Sequence, residues 1–180
     1  MNIIELAANP TKDYRPVPFW SWNDKLEADE LARQIELMHD AGIGGFFMHA
    51  RGGLLTDYLS DDWFDVTKAA IHAAEKCGMN PWAYDENGWP SGFGGGIVNG
   101  LGLEYQQKYL RWRKISSVDL AGAEHKIAVY SLDCKRISEE EAKTQSEILL
   151  FYFDVNPYYV DTLDRKVTEK FLEVTHQEYF

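Results

Sequence analysis

Two amphipathic helical patterns each run into a glycine and then, with no linker, into a short apolar segment. In residues 27–41, Leu31, Ile35 and Met38 recur at helical spacing with Ala28 and Ala41 alongside, while Glu30, Arg33, Gln34 and Asp40 take the wet face. Gly42 stands where a left-handed C-cap belongs, and Ile-Gly-Gly-Phe-Phe-Met-His-Ala, residues 43–50, follows as a buried strand. The arrangement then repeats. Ser60 can cap a helix with Asp61, Asp62 and Asp65 near its positive end. Its apolar side is Trp63, Val66, Ala70, Ile71, Ala74 and Cys77, Gly78 ends it, and residues 79–84 form the next strand. Upstream, Pro-Val-Pro-Phe-Trp-Ser-Trp, residues 16–22, must be extended, because each proline denies helix to the residue before it. Strand, helix, strand, helix, strand with turns this short predicts a parallel sheet with right-handed crossovers. Strand starts near Pro16, Ile43 and Met79 suit a doubly wound sheet and a (β/α)8 barrel alike.

Further along the period changes. Residues 103–110 suggest a helix, whereas 109–118, 125–132 and 147–155 alternate or run apolar as antiparallel strands do. The acidic stretch 138–145 suits a solvated face, Asn156-Pro157 breaks the chain, and Val167, Phe171 and Val174, extended by Leu163, mark a last amphipathic helix. Residues 1–14 are a lead-in with a helical turn near Ile4 to Ala8. The expected fold is α/β: a partial (β/α)8 TIM barrel of three to four βα units with a small antiparallel β insertion. Its parts would be residues 1–107 as the N-terminal units, 108–156 as the insertion, and 157–180 as the helix of the next unit. A full barrel takes about 250 residues, so the chain is expected to be the truncated front of a larger one.

The balance of charge narrows the partners. With 180 residues and a formal net charge of −11, the chain lacks the clustered cations that nucleic acid or an anionic membrane would require, so neither is an expected partner. No signal-peptide pattern opens it and no apolar run approaches a membrane span, which predicts a cytoplasmic protein. Cys77 and Cys134 have no metal-type spacing and are expected to be reduced.

Chemistry concentrates in residues 84–96, Tyr-Asp-Glu-Asn-Gly-Trp-Pro-Ser-Gly-Phe-Gly-Gly-Gly, at the end of the third predicted strand. Asp85 and Glu86 are the candidate catalytic carboxylates, but adjacent strand residues point to opposite faces, so at most one faces the strand-end site. Glu86 could transfer a proton, ligate a sugar hydroxyl or a calcium ion, or brace the loop; Asp85 could bond loop amides. Trp22, Asn23, His49, Arg51, Trp89 and Ser91 are the candidate substrate-binding residues. His49 and Arg51 end the second strand, and could bond sugar hydroxyls or hold a carboxylate. In the plainer alternative Arg51 pairs with a neighbouring acid and His49 is a satisfied strand-end residue. Of Trp20 and Trp22, one belongs to the core and the other could floor a sugar site, as Trp89 could form a platform. Zinc is disfavoured because His49 has no neighbouring ligand cluster, and His39, His72, His125 and His176 are expected in solvent. Gly92, Gly94, Gly95 and Gly96 lack the Lys and Ser/Thr of a phosphate loop, so they serve a tight turn and close approach to a ligand.

These motifs resemble a known family. Phe19-Trp20-Ser21-Trp22-Asn23, the helix end Met38-His39-Asp40-Ala41-Gly42-Ile43-Gly44-Gly45, and Tyr84-Asp85-Glu86 with Gly88-Trp89-Pro90-Ser91-Gly92 resemble the N-terminal part of the catalytic barrel of α-L-rhamnosidase-like glycoside hydrolases, glycoside hydrolase family 106 and its relatives. Asp161 with Leu163-Asp164, and Phe171 with Thr175-His176, resemble the segment before that barrel's next strand. The resemblance spans most of residues 15–105 and 157–180. It implies hydrolysis of a glycosidic bond to a terminal deoxy-sugar, with a carbohydrate substrate. It implies no evident cofactor, although it admits calcium. The remainder of the barrel or an oligomer partner would supply further acidic strand ends, so this chain alone is expected to be inactive. A noncatalytic carbohydrate-binding or structural α/β domain is the alternative, and a phosphate or nucleotide binder the third.

Overall fold

The three apolar runs pair side by side. A computed structural model of the chain describes residues 3–89 and 91–180, so Pro90 of the Trp-Pro-Ser-Gly run lies outside the described residues. After α1 (Ile3–Ala8), β1 (Phe19–Trp22), β2 (Gly45–Ala50) and β3 (Asn80–Ala83) form one parallel sheet in that order, with α2 (Ala28–Asp40) and α3 (Asp61–Lys76) between them. Ser60 caps α3 by accepting from the Trp63 N–H. Gly42 and Gly78 follow the two helices at φ 84° and 66°, a left-handed turn in which a side chain would be strained.

Strand alternation sorts the side chains of this sheet. Trp20 and Trp22 lie in register with Met48 and Ala50. Trp22, Phe46, Met48 and Ala50 join Leu31, Ile35, Trp63, Ala70 and Ala74 in a buried core, with Trp20 packed against it. Phe19, Phe47 and Trp82 are in register across the three strands on the opposite face, where Phe19 is 42% and Trp82 52% exposed. The chain divides into two units, and these elements belong to the first, Met1–Val98 with Glu169–Phe180.

The second unit, Asn99–Thr168, is antiparallel. Its strands β4 (Gln106–Ser116), β5 (Lys126–Tyr130), β6 (Arg136–Ile137) and β7 (Glu147–Val160) stand in the order β4, β7, β5, β6. Leu120, Val129, Ala142, Ile148 and Leu150 form its core. Two details of its strands differ from expectation. Residues 103–110 are not a helix: one 3₁₀ turn, Leu103–Tyr105, leads into β4, whose side chains find cross-strand partners along β7. Asn156-Pro157 does not break the chain but lies inside β7; the ladder register jumps from Asn156 to Val160, so the missing N–H of Pro157 interrupts no pair. The acidic stretch is a solvated face, exposed throughout except at Ala142, and it contains α4 (Glu139–Ala142), closed by a Ser138–Glu141 capping box. Ties beyond residues 108–156 include Lys108 to Asp161 at 3.2 Å and the Asn99 amide donating to the Pro157 carbonyl. α5 (Arg165–Thr175) follows; Val167 is buried, but Leu163 is 96% exposed in the turn before it and does not extend its face. No described helix is long and apolar enough to cross a membrane.

Candidate functional site

The carboxyl ends of parallel strands are where α/β proteins keep their chemistry. At that end of β2, His49 is fully buried between the Phe19 and Tyr84 rings, at centroid distances of 4.4 and 4.2 Å. Its Nε2 donates to the Gly88 carbonyl at 2.8 Å. That bond fixes the proton on Nε2 and leaves Nδ1 an acceptor, buried without a hydrogen-bond partner among the described residues. Burial lowers the His49 pKa, and the Arg51 charge lowers it further, against the Gly88 carbonyl and the Asp85 charge, which raise it. Arg51, half-buried, holds its guanidinium 5.8 Å from the Phe19 ring centroid.

The loop after β3 is pinned to this frame at several points. The Gly88 N–H donates to the Ala50 carbonyl at 3.3 Å and the Gly95 N–H to the Asn87 carbonyl at 2.9 Å. Glu86, 1% exposed, accepts from the Gly92 N–H on one carboxylate oxygen and from the Gly94 N–H on the other. Both glycines stand at positive φ, 118° and 53°, which turns the loop back towards Glu86. Burial raises the Glu86 pKa, opposed by the Gly94 and Gly92 amides, and the Asp85 charge adds to the rise. The Ser91 hydroxyl donates to Asp85 Oδ2 at 2.7 Å, while Asp85 Oδ1 is buried and unpartnered among the described residues. Trp89 remains outside at 62% exposure, its ring 6.1 Å from Phe19 and 6.2 Å from Tyr84. Phe19, Arg51 and Trp89 line a cleft of about 210 Å³. A larger cavity of about 370 Å³, around Arg15, His39, Gly44 and Met79, lies at the other end of the strands.

The predicted residues therefore separate. His49, Arg51, Asp85, Trp89 and Ser91 gather at the strand ends, and Phe19 and Tyr84 join them. Strand period would have found Phe19, since Trp20 and Trp22 take the helix face and residue 19 must take the other. Trp22 is not a sugar platform: it is 2% exposed in the helix-side core. Trp20 does not floor the site either, its indole N–H donating to Gln34 of α2 at 3.2 Å. Asn23 is exposed just past β1. The two acids exchange roles, Glu86 bonding the loop amides that Asp85 was expected to bond, with Asp85 holding a hydroxyl instead. His176 is half-buried rather than solvated, its Nε2 buried without a hydrogen-bond partner among the described residues. Cys77 and Cys134 are free. Among the described residues no three His, Cys, Asp or Glu side chains gather as a metal would require. Both Glu86 oxygens already accept N–H bonds, a poor fit to a calcium ion.

Comparison of the sequence with family models and with curated proteins finds no match. Among solved structures, a rhamnosidase from Novosphingobium sp. PP1Y is similar over 64% of this chain, with a TM-score of 0.50 and 21% identity. This chain covers 11% of that chain's length. The likeness is one of fold, a mixed α/β arrangement.

Proposed function

We propose that the strand-end cleft is a sugar site, and that β1 to β3 with their helices form an arc of a (β/α)8 barrel of the α-L-rhamnosidase-like kind. The observation that carries this is Trp89, a largely exposed indole held by a pinned loop directly beside Arg51 and Phe19. An exposed aromatic face takes the C–H side of a pyranose, and a nearby multidentate donor takes its hydroxyls. A cleft of about 210 Å³ falls below the ~300–1,000 Å³ typical of drug-sized ligands, which suits a single terminal sugar unit. The barrel assignment is supported by Phe19, Phe47 and Trp82 on the sheet face away from the helices, where a barrel packs its interior layers.

Hydrolysis requires an acid beside the leaving oxygen and a second carboxylate. Glu86 is committed to two amides and Asp85 to Ser91, so the catalytic pair comes from elements other than these three strands. That commitment also favours the second reading, a noncatalytic carbohydrate-binding domain. It disfavours phosphate binding, since the loop amides an anion would need already meet the Glu86 carboxylate. A cytoplasmic location is supported by the two unpaired cysteines.

The test is calorimetric titration with an aryl α-L-rhamnoside, together with an assay for its release of phenol. Saturable binding without turnover, weakened several-fold in Trp89→Ala, is the expected result. Turnover by this chain would overturn the assignment of the catalytic pair to other elements, and binding of nucleotide with no response to sugar would overturn the sugar site.

A further inference from the structure

Among the described residues, Arg51 is a half-buried cation without an anion. Its backbone is fixed at the end of β2, the N–H donating to the Trp22 carbonyl at 3.0 Å and the carbonyl accepting from the Leu54 N–H at 3.0 Å. Its guanidinium lies by the Phe19 ring and, with Trp89, lines the cleft. Among the described residues it has no ion-pair partner and no side-chain hydrogen bond, although the chain carries an excess of acids and a formal net charge of −11. The neighbouring acids are turned elsewhere. Glu86 accepts from Gly92 and Gly94, Asp85 accepts from Ser91, and the remaining Asp85 oxygen is buried.

A guanidinium presents five N–H donors in a planar fork that matches a carboxylate better than scattered hydroxyls. A neutral sugar on Trp89 would leave most of that fork bonded only to water. A sugar carrying a carboxylate on its ring would meet both walls of the cleft, its C–H face on the indole and its anion on the fork. Resting on the sugar-site reading above, we infer that the cleft selects an acidic sugar, a hexuronate unit whose carboxylate binds Arg51 while its ring packs on Trp89. The acidic unit is then either the sugar released or the one adjoining the scissile bond.

The experiment titrates the intact chain with D-galacturonate and D-galactose, which differ at one carbon, in the wild type, Arg51→Gln, Arg51→Lys and Trp89→Ala. A charge-assisted pair predicts that galacturonate binds roughly 10- to 100-fold tighter than galactose. Added salt should narrow the gap. Arg51→Gln removes the preference, costing galacturonate far more affinity than galactose, Arg51→Lys keeps part of it, and Trp89→Ala weakens both sugars. Circular dichroism on each variant confirms folding. Equal affinity for the two sugars, or a preference that survives Arg51→Gln, overturns the inference and leaves the sugar site standing. Binding of galacturonate but of no neutral sugar supports the inference and removes the deoxy-sugar specificity. Binding of neither overturns both.

Discussion

The strand ladder of the antiparallel unit and the strand ends of the parallel unit handle polar side chains in opposite ways. In the antiparallel unit, charges pair across strands in the open: Arg111 with Asp154 at 3.1 Å and Lys114 with Glu147 at 3.0 Å, all four side chains about half exposed. In the parallel unit, His49 and Glu86 are buried at the strand ends and meet backbone groups and loop amides instead of opposite charges. Exposed ion pairs contribute little, because water screens them and long side chains lose entropy in forming them. Buried polar groups are sensitive to any change, because removing one partner strands the other. The exposed cross-strand charges of the second unit are therefore expected to tolerate substitution, while the strand ends of the first concentrate sensitivity where a ligand would bind.

Substitutions can break that contrast or sharpen it. The largest effect belongs to Trp22→Ala, which empties the centre of the helix-side core and is expected to cost about 3–5 kcal/mol in denaturant unfolding. A stable Trp22→Ala variant that loses only sugar binding would return this residue to the cleft. Next is Glu86→Ala, which leaves the buried Gly92 and Gly94 amides without an acceptor at a cost of roughly 1–3 kcal/mol. Amide hydrogen exchange should show that loss concentrated in residues 84–96, and an unchanged loop would remove Glu86 from its bracing role.

His49 supplies the pH dependence. Its folded pKa lies below the ordinary 6.5, so the unfolded chain takes up the proton first. The stability it contributes is full above about 6.5 and declines as pH falls from there towards the folded value. Glu86 runs the other way. Its pKa is raised, so its contribution is present below the ordinary carboxyl value and declines as pH rises through the folded one. Melting temperature against pH should therefore fall more steeply below about 6.5 in the wild type than in His49→Gln; identical slopes would show that the imidazole is not buried as described. The smallest effect is Arg111→Ala in the antiparallel unit, expected at about 0.2–1 kcal/mol. A loss as large as that of Glu86→Ala would end the contrast between the units.

Much of the parallel unit could be read from the sequence, because two helical periods ending in Gly42 and Gly78 leave a strand little choice of place. The antiparallel strands were legible from their alternation, but their ends were not. Pro157 signals a break by its chemistry, and only the register jump against β4 shows why a strand can carry it. The placing of His49, Arg51 and Trp89 at the strand ends was legible from their spacing. The failure of Trp22 had a local remedy, since Phe19-Trp20-Ser21-Trp22 puts both tryptophans on one face, and the helices claim that face. Glu86 was different. Its partners lie six and eight residues on, and only the positive φ angles of Gly92 and Gly94 turn those amides towards it. No strand or helix period encodes that.

The most direct test of the sugar site follows backbone amide, Arg51 Nε and Trp89 Nε1 resonances by NMR while an aryl α-L-rhamnoside is titrated into the chain. Saturable shifts at Phe19, Arg51 and Gly88 to Ser91 with a still β4 to β7 sheet are predicted, whereas shifts confined to that sheet, or none at saturating sugar, would contradict the account.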